Sequence, residues 1–118
     1  MSYLFSSDYK FRTWRKLWIA LAEAEKELGL PISDAQLTEL RSAAETINYE
    51  EAERREREVR HDVMSHIYAY GLQAPSAKGI IHLGATSAFV TDNTDILQMS
   101  EALRLVRRRI VNLLEKLR

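Results

Sequence analysis

The chain has 118 residues, of which 46% are hydrophobic and 29% charged, and its formal net charge is zero; this is the balance of one modest folded soluble domain. A net charge of zero gives no global argument for a nucleic-acid partner, and no apolar run approaches the ~20 residues that a membrane-spanning helix needs. Because the chain has no cysteine, disulfides and thiolate chemistry are excluded, and we expect a reducing, cytoplasmic setting.

Helix formers dominate the sequence, with only 4 Gly and 2 Pro, and this predicts an all-α fold. The first helix is expected from about Asp8 to Leu28, with Ser7 or Asp8 as its cap and with Gly29 and Pro31 as its stop signal. A helical period of 3.6 residues predicts one buried stripe. Its members are Phe11, Trp14, Trp18, Leu21 and Leu28.

A short second helix is predicted at Ser33, which forms an S-x-x-Q capping box with Gln36. A third start is expected at Asn48, with a glutamate three residues on. The highly charged run that follows, YEEAERREREVRHD, is typical of a solvated helix with i,i+4 ion pairs. The predicted pairs are Glu50 with Arg54 and Glu51 with Arg55. We expect this helix to continue to about Tyr70 and to end at Gly71.

The strongest pattern is a heptad seam near the end of the chain, with apolar residues at alternating spacings of three and four. The seam consists of Ile96, Met99, Leu103, Val106, Ile110, Leu113 and Leu117. Further apolar residues, including Leu97 and Leu114, lie off the seam. A helix that is apolar on several sides usually lies inside a large bundle or an oligomer. We therefore expect residues 89–117 to form a long helix through which the chain self-associates.

A run of three polar residues, Arg60, His61 and Asp62, ends the charged segment. A histidine can exchange a proton with a substrate and an arginine can hold an anion, but the same residues are also typical of surface ion pairs. His66 follows His61 by five residues, about 140° round a helix, so the two do not form an i,i+4 metal pair. With no H-E-x-x-H motif and no cysteine ligand, we predict no zinc or other metal site.

The segment HLGATS places two hydroxyls, Thr86 and Ser87, where the long helix begins. Free N–H groups and the positive end of the helix dipole favour carboxylates and phosphates there. Helix capping alone would also explain these residue types. Gly84 permits an unusual backbone angle or a close approach, and His82 is expected to be a packed or capping histidine rather than a proton carrier. Asp92 and Asn93 are either polar partners of a cleft or ordinary first-turn residues.

Three blocks of the sequence resemble the adenylosuccinate lyase family of the fumarase/aspartase superfamily, and most strongly its animal-type branch. The blocks are FRTWRKLWIALAEAEKELGLPI, RHDVMSH and GIIHLGATSAFVTDNTD. They occur in the order and with spacings plausible for the N-terminal part of that family, and together they cover nearly the whole chain.

The resemblance implies an all-α homotetramer with a central long-helix bundle and active sites shared among three subunits. It implies elimination of fumarate from adenylosuccinate and from succinyl-aminoimidazole-carboxamide ribotide (SAICAR) in purine synthesis, without a metal or organic cofactor. It further implies substrate contacts by the R-H-D segment and the T-S pair. These are Arg60, His61, Asp62, Thr86 and Ser87.

Three features of the family are missing from this sequence: the loop with the serine taken to be the catalytic base, the histidine segment taken to be the acid, and an upstream Arg-Tyr contact. The chain is therefore expected to be a fragment that is inactive alone, with His61 in a supporting role at most. We expect an N-terminal helical domain over residues 1–85, followed by the truncated start of a central-bundle helix over residues 86–118.

An alternative remains a stand-alone helical interaction module without catalysis. Its working surfaces would be the heptad seam and a basic cluster formed by Arg104, Arg107, Arg108 and Arg109. These arginines spread round the helix and the net charge is zero, so neither a nucleic-acid nor a membrane partner is predicted.

Overall fold

Five α-helices and one short 3-10 helix make up the fold, which a computed structural model describes for residues 2–118. The elements are α1 Ser7–Glu27, α2 Asp34–Ser42, α3 Tyr49–Val59, α4 Asp62–Gln73, the 3-10 helix Pro75–Ala77 and α5 Ser87–Lys116. The chain is 74% helical and residues 2–118 contain no strand, so the predicted all-α class is confirmed. None of these helices is both long and apolar enough to cross a membrane.

Helix α1 forms the centre of the core. Trp14 and Trp18 are each only 1% exposed, as the 3.6-residue stripe predicts. Leu28 was wrongly included in that stripe, because α1 ends at Glu27 and Leu28 is 84% exposed. The predicted cap was one residue late: the hydroxyl of Ser6 accepts the N–H of Tyr9 at 3.2 Å.

Helix α2 begins with the predicted capping box. The Ser33 hydroxyl accepts the Gln36 N–H at 3.2 Å, and the Gln36 amide oxygen accepts the Ser33 N–H at 3.0 Å. Leu37 and Leu40 of α2 are buried against the core. The Tyr70 hydroxyl donates to the Leu40 carbonyl at 2.6 Å, so α2 is bonded directly to α4.

Helix α3 starts at Asn48, whose side chain accepts the Glu51 N–H at 3.2 Å, as predicted. The charged run forms ion pairs on its surface, but not the predicted ones. Arg54 pairs with Glu51 and with Glu58, each at 2.8 Å, and Arg55 pairs with Glu58 at 2.9 Å. Two of these pairs are i,i+3 and one, Arg54 with Glu58, is i,i+4 to a glutamate on the C-terminal side; residues three and four apart lie on the same helix face and compete for one arginine.

The predicted end at Gly71 was wrong, because α4 continues to Gln73. Gly71 lies inside the helix and is buried, and the stem of Lys78 crosses directly over it. A Cβ at this position would come within 3.0 Å of the Lys78 Cγ. Here glycine therefore provides room for a neighbouring side chain and does not mark a helix end.

Helix α5 packs against the core through its N-terminal half. Val90 and Thr94 are buried, and further along the helix Gln98 donates to the Leu4 carbonyl at 2.7 Å. Every residue of the heptad seam is nevertheless exposed, from 44% at Val106 to 74% at Leu117.

Candidate functional site

The R-H-D segment forms a sharp break between α3 and α4, where the sequence predicted one continuous helix. Arg60 adopts a left-handed backbone (φ 54°, ψ 42°) and its N–H donates to the Glu56 carbonyl at 2.7 Å. This conformation ends α3. His61 is extended and serves as the N-cap of α4, its Nδ1 accepting the Met64 N–H at 3.2 Å. The prediction failed because arginine is an unusual left-handed residue and histidine an unusual cap.

Asp62 is the first residue of α4, and its carboxylate accepts the N–H of Val63 at 2.8 Å. A carboxylate in the first turn interacts favourably with the helix dipole. Val63 and Ser65 on the same turn are fully buried, and this burial fixes α4 against the core. The break between α3 and α4 is therefore stabilised both by hydrogen bonds at the helix ends and by the packing of α4 against the core.

The hydroxyls of Thr86 and Ser87 lie at the start of α5, as predicted. Thr86 occupies the N-cap position with an extended backbone, but its side chain makes no capping bond. The turn before it contains two left-handed residues, His82 (φ 63°) and Gly84 (φ 73°), so the predicted unusual angle at Gly84 is confirmed. Asp92 and Asn93 hydrogen-bond within their own helix, to Thr91 and Phe89.

The two segments meet at His61 and Ser87. The His61 Nε2 lies 3.5 Å from the Ser87 Oγ, although the residues are 26 positions apart. His61 also lines an apolar cavity of about 420 Å³. The other residues of its lining are Arg55, Val59, Met64, Ile67, Tyr68 and Lys78.

Arg60 lies instead on a second crevice, of about 490 Å³, with Glu53, Glu56 and Arg57. The structure thus brings His61 and Ser87 together, while Arg60 faces another crevice.

A second histidine, His82, is packed beside this site, as the sequence predicted. Its Nδ1 accepts the indole N–H of Trp18 at 2.9 Å, and the two rings meet edge to face at 88°. Burial lowers the pKa of His82 below its usual value, and the nearby charge of His61 lowers it further. The sequence assigned Trp18 to the core alone; the structure shows that its buried indole also donates a hydrogen bond to His82.

Two further observations bear on the chemistry of this site. Among residues 2–118, the structure gathers no group of three or more His, Cys, Asp or Glu side chains that could hold a metal ion. Two cationic side chains, Arg55 and Lys78, line the same cavity as His61, together with apolar side chains. Hydroxyls, an imidazole and cations can together bind an anionic molecule by charge-assisted hydrogen bonds.

Known proteins resemble this chain in sequence. No protein-family model matches the chain. A protein named adenylosuccinate lyase from Schizosaccharomyces pombe is 48% identical over 120 residues, covering 99% of this chain and 25% of that protein. The predicted resemblance to adenylosuccinate lyase is confirmed.

Other adenylosuccinate lyases extend the same comparison. The protein of Saccharomyces cerevisiae is 46% identical, covering 99% of this chain and 25% of its own length. The protein of Schistosoma mansoni is 41% identical, covering 96% of this chain and 24% of its own length. Fungal and animal adenylosuccinate lyases are therefore both among the relatives. The chain spans about a quarter of the length of the curated relatives it matches.

The left-handed backbone at Arg60 gives a stability test of the break between α3 and α4. Replacing Arg60 with glycine relieves a conformation that disfavours residues with a Cβ, so the free energy of unfolding should stay unchanged or rise by up to about 1 kcal/mol. The matched control is Arg57→Gly, in the last turn of α3, which should cost about 1 kcal/mol because glycine is a poor helix former. Urea unfolding followed by circular dichroism measures both. Equal destabilisation by the two changes would contradict the left-handed assignment.

Proposed function

We propose that this chain is the substrate-binding, N-terminal part of a lyase that eliminates fumarate from adenylosuccinate and SAICAR in purine biosynthesis. The observation that carries the proposal is the contact between His61 and Ser87, at 3.5 Å. The two residues belong to the R-H-D and T-S segments, which the resemblance associates with substrate contacts. We propose Arg60, His61, Asp62, Thr86 and Ser87 as the substrate-binding residues.

The chemistry of the substrate supports this proposal. Adenylosuccinate is a dicarboxylate that also carries a phosphate, and it therefore needs hydrogen-bond donors and positive charge. The start of α5 offers the positive end of a helix dipole beside the hydroxyls of Thr86 and Ser87. Because the Thr86 hydroxyl is not used for capping, it is free to contact a ligand. The Arg60 side chain is exposed, so it can turn toward a ligand without a large movement of the core.

We further propose that the 118-residue chain does not catalyse the reaction alone. Neither the serine that the family uses as the base nor the histidine that it uses as the acid can be assigned among its residues by resemblance, and no cofactor is proposed. Residues 1–85 are proposed as an N-terminal domain and residues 86–118 as the start of a central-bundle helix. We propose that the complete enzyme is a cytoplasmic homotetramer, in which segments outside these 118 residues supply the remaining catalytic groups to sites shared among subunits.

A second candidate function is a helical oligomerisation module without catalysis. The exposed heptad seam of α5 favours it, because an apolar strip of this length is typical of an interface. Activity distinguishes the two candidates. If the chain is only an oligomerisation module, replacing the R-H-D and T-S residues should leave the activity of any enzyme that contains the chain unchanged.

A chimera provides the experiment. This chain replaces the matching 120-residue segment of the Schizosaccharomyces pombe protein, with which it is 48% identical, and fumarate release from adenylosuccinate is followed spectrophotometrically. The chimera should be active and the 118-residue chain inactive. His61→Ala or Ser87→Ala in the chimera should lower kcat/KM at least about tenfold, which is about 1.4 kcal/mol of transition-state stabilisation.

The control for these variants is Ser42→Ala, which removes an exposed hydroxyl that bonds only the Glu39 carbonyl of its own helix. It should leave kcat/KM unchanged.

Mixing the His61→Ala chimera with a subunit defective in the catalytic base should restore some activity if sites are shared between chains. Turnover by the 118-residue chain alone would refute the fragment proposal, and full activity of both site variants would refute the proposed site.

A further inference from the structure

Two histidine rings near the start of α5 share one feature: in both, Nδ1 already accepts a hydrogen bond from the protein. The Nδ1 of His61 accepts the backbone N–H of Met64 at 3.2 Å. The Nδ1 of His82 accepts the indole N–H of Trp18 at 2.9 Å. A neutral imidazole whose Nδ1 is an acceptor carries its proton on Nε2.

We propose that Trp18 is a positioning residue for the candidate site, and that Trp18 and the Met64 N–H together hold both histidines in the Nε2-protonated form. In its neutral form each ring then carries its N–H at Nε2, the nitrogen that in His61 lies beside the Ser87 hydroxyl. An Nε2–H donor suits the carboxylate or phosphate oxygens of an anionic substrate, and each Nδ1 is already used as an acceptor within the protein. The role toward substrate rests on the proposed function, whereas the assignment of the two ring forms does not.

The surroundings of Trp18 explain why it can hold the ring of His82. The indole is 1% exposed and packs against Trp14 and Tyr70, with ring centroids 6.2 Å and 6.1 Å away. A ring enclosed in this way cannot rotate without disturbing the core. An indole N–H is a donor only, so the Nδ1 of His82 can only accept from it.

The backbone of His82 adds a second constraint. Its φ of 63° lies in the left-handed region, which is unfavourable for a residue with a Cβ. The hydrogen bond to Trp18 and the burial of the neighbouring Ile81 help to offset this cost. Burial lowers the pKa of His82, which favours the neutral form of its ring near pH 7.

The proposal is tested on the 118-residue chain by long-range ¹H–¹⁵N correlation spectra at about pH 8, above the ordinary histidine pKa of about 6.5. Both His61 and His82 should show an unprotonated Nδ1 and a protonated Nε2. A coupling across the hydrogen bond between the Trp18 Nε1 and the His82 Nδ1 should be detected. A protonated Nδ1 on either ring, or the absence of that coupling, would overturn the proposal.

Substitution of the donor gives an independent comparison. Trp18→Phe keeps a buried aromatic ring but removes the N–H, so His82 should shift to a mixture of both ring forms. The matched control is Trp14→Phe: Trp14 is equally buried, and its indole N–H has no hydrogen-bond partner within residues 2–118. Identical His82 spectra in the two variants would contradict the proposal that the Trp18 N–H fixes the ring form of His82. Should Trp18→Phe fail to fold, the spectrum and coupling of the unaltered chain decide alone.

Activity separates this inference from the proposed function. In the active chimera, Trp18→Phe should lower kcat/KM severalfold while Trp14→Phe has a smaller effect, with both variants equally folded. If the ring forms are as proposed but Trp18→Phe leaves kcat/KM unchanged, the positioning role fails. The proposed function would still stand on the effects of His61→Ala and Ser87→Ala.

Discussion

The unaltered 118-residue chain is expected to self-associate through residues 89–117, and the variant carrying both Leu103→Glu and Ile110→Glu is expected to be a monomer. Leu103 is 70% exposed and Ile110 is 51% exposed. Complete burial of one such side chain contributes roughly 1.5–3 kcal/mol, so a seam of seven can drive association. Two glutamates would place charge in the middle of the interface, where burial without a partner is costly.

Sedimentation or light scattering at about 100 µM tests this prediction, because an interface with a Kd below that concentration is then populated. The control is the pair Arg109→Gln and Asn112→Glu on the same helix, which changes the net charge by the same two units without altering the seam. It should remain associated. The C-terminal part of α5 should also be less helical in the monomer, since a helix without packing is marginal. A monodisperse monomer of the unaltered chain would show that the seam is not an interface.

Replacing the buried Arg15 with methionine is expected to lower the free energy of unfolding by roughly 3 kcal/mol and Tm by roughly 10 °C. The guanidinium is 1% exposed and donates to the carbonyls of Ala43 and Thr46 and to the side chain of Gln73. It also lies 4.4 Å from the centroid of the Tyr70 ring. Methionine fills much of the same space but donates no hydrogen bond, so the buried Ala43 carbonyl loses its donor.

Burial lowers the pKa of Arg15 to about 10, which still leaves the side chain charged at neutral pH. The effect is therefore expected to be present across neutral pH. The control is Arg12→Met, one turn earlier in α1, whose guanidinium donates to the Glu45 carbonyl at 3.1 Å from a partly exposed position. It should cost less than about 1 kcal/mol. Thermal unfolding is compared at one protein concentration, because self-association raises the apparent Tm. Similar losses in both variants would refute the proposed role of Arg15.

The start of α5 combines features that could be predicted from sequence with others that could not. Gly84 indicated an unusual backbone angle, and the hydroxyls of Thr86 and Ser87 indicated the beginning of a helix; the structure has both. Whether those hydroxyls serve as caps could not be decided from residue type. Capping depends on the rotamer of one side chain, which its neighbours in space determine.

The sequence by itself determined the elements that depend on contacts within one or two turns. The capping box of Ser33 and Gln36 and the cap at Asn48 are local hydrogen bonds, and the stripe of α1 follows from the helical period. The heptad seam likewise predicted one long helix, and α5 is that helix.

Only the tertiary structure decided the break at Arg60 and the composition of the candidate site. The break requires a left-handed arginine and a histidine cap, both locally unfavourable choices, which packing of α4 against the core compensates. The contact of His61 with Ser87 spans 26 positions, and that of Trp18 with His82 spans 64. No periodic pattern encodes contacts at such separations, because they arise only when the helices pack and bring distant residues to one place.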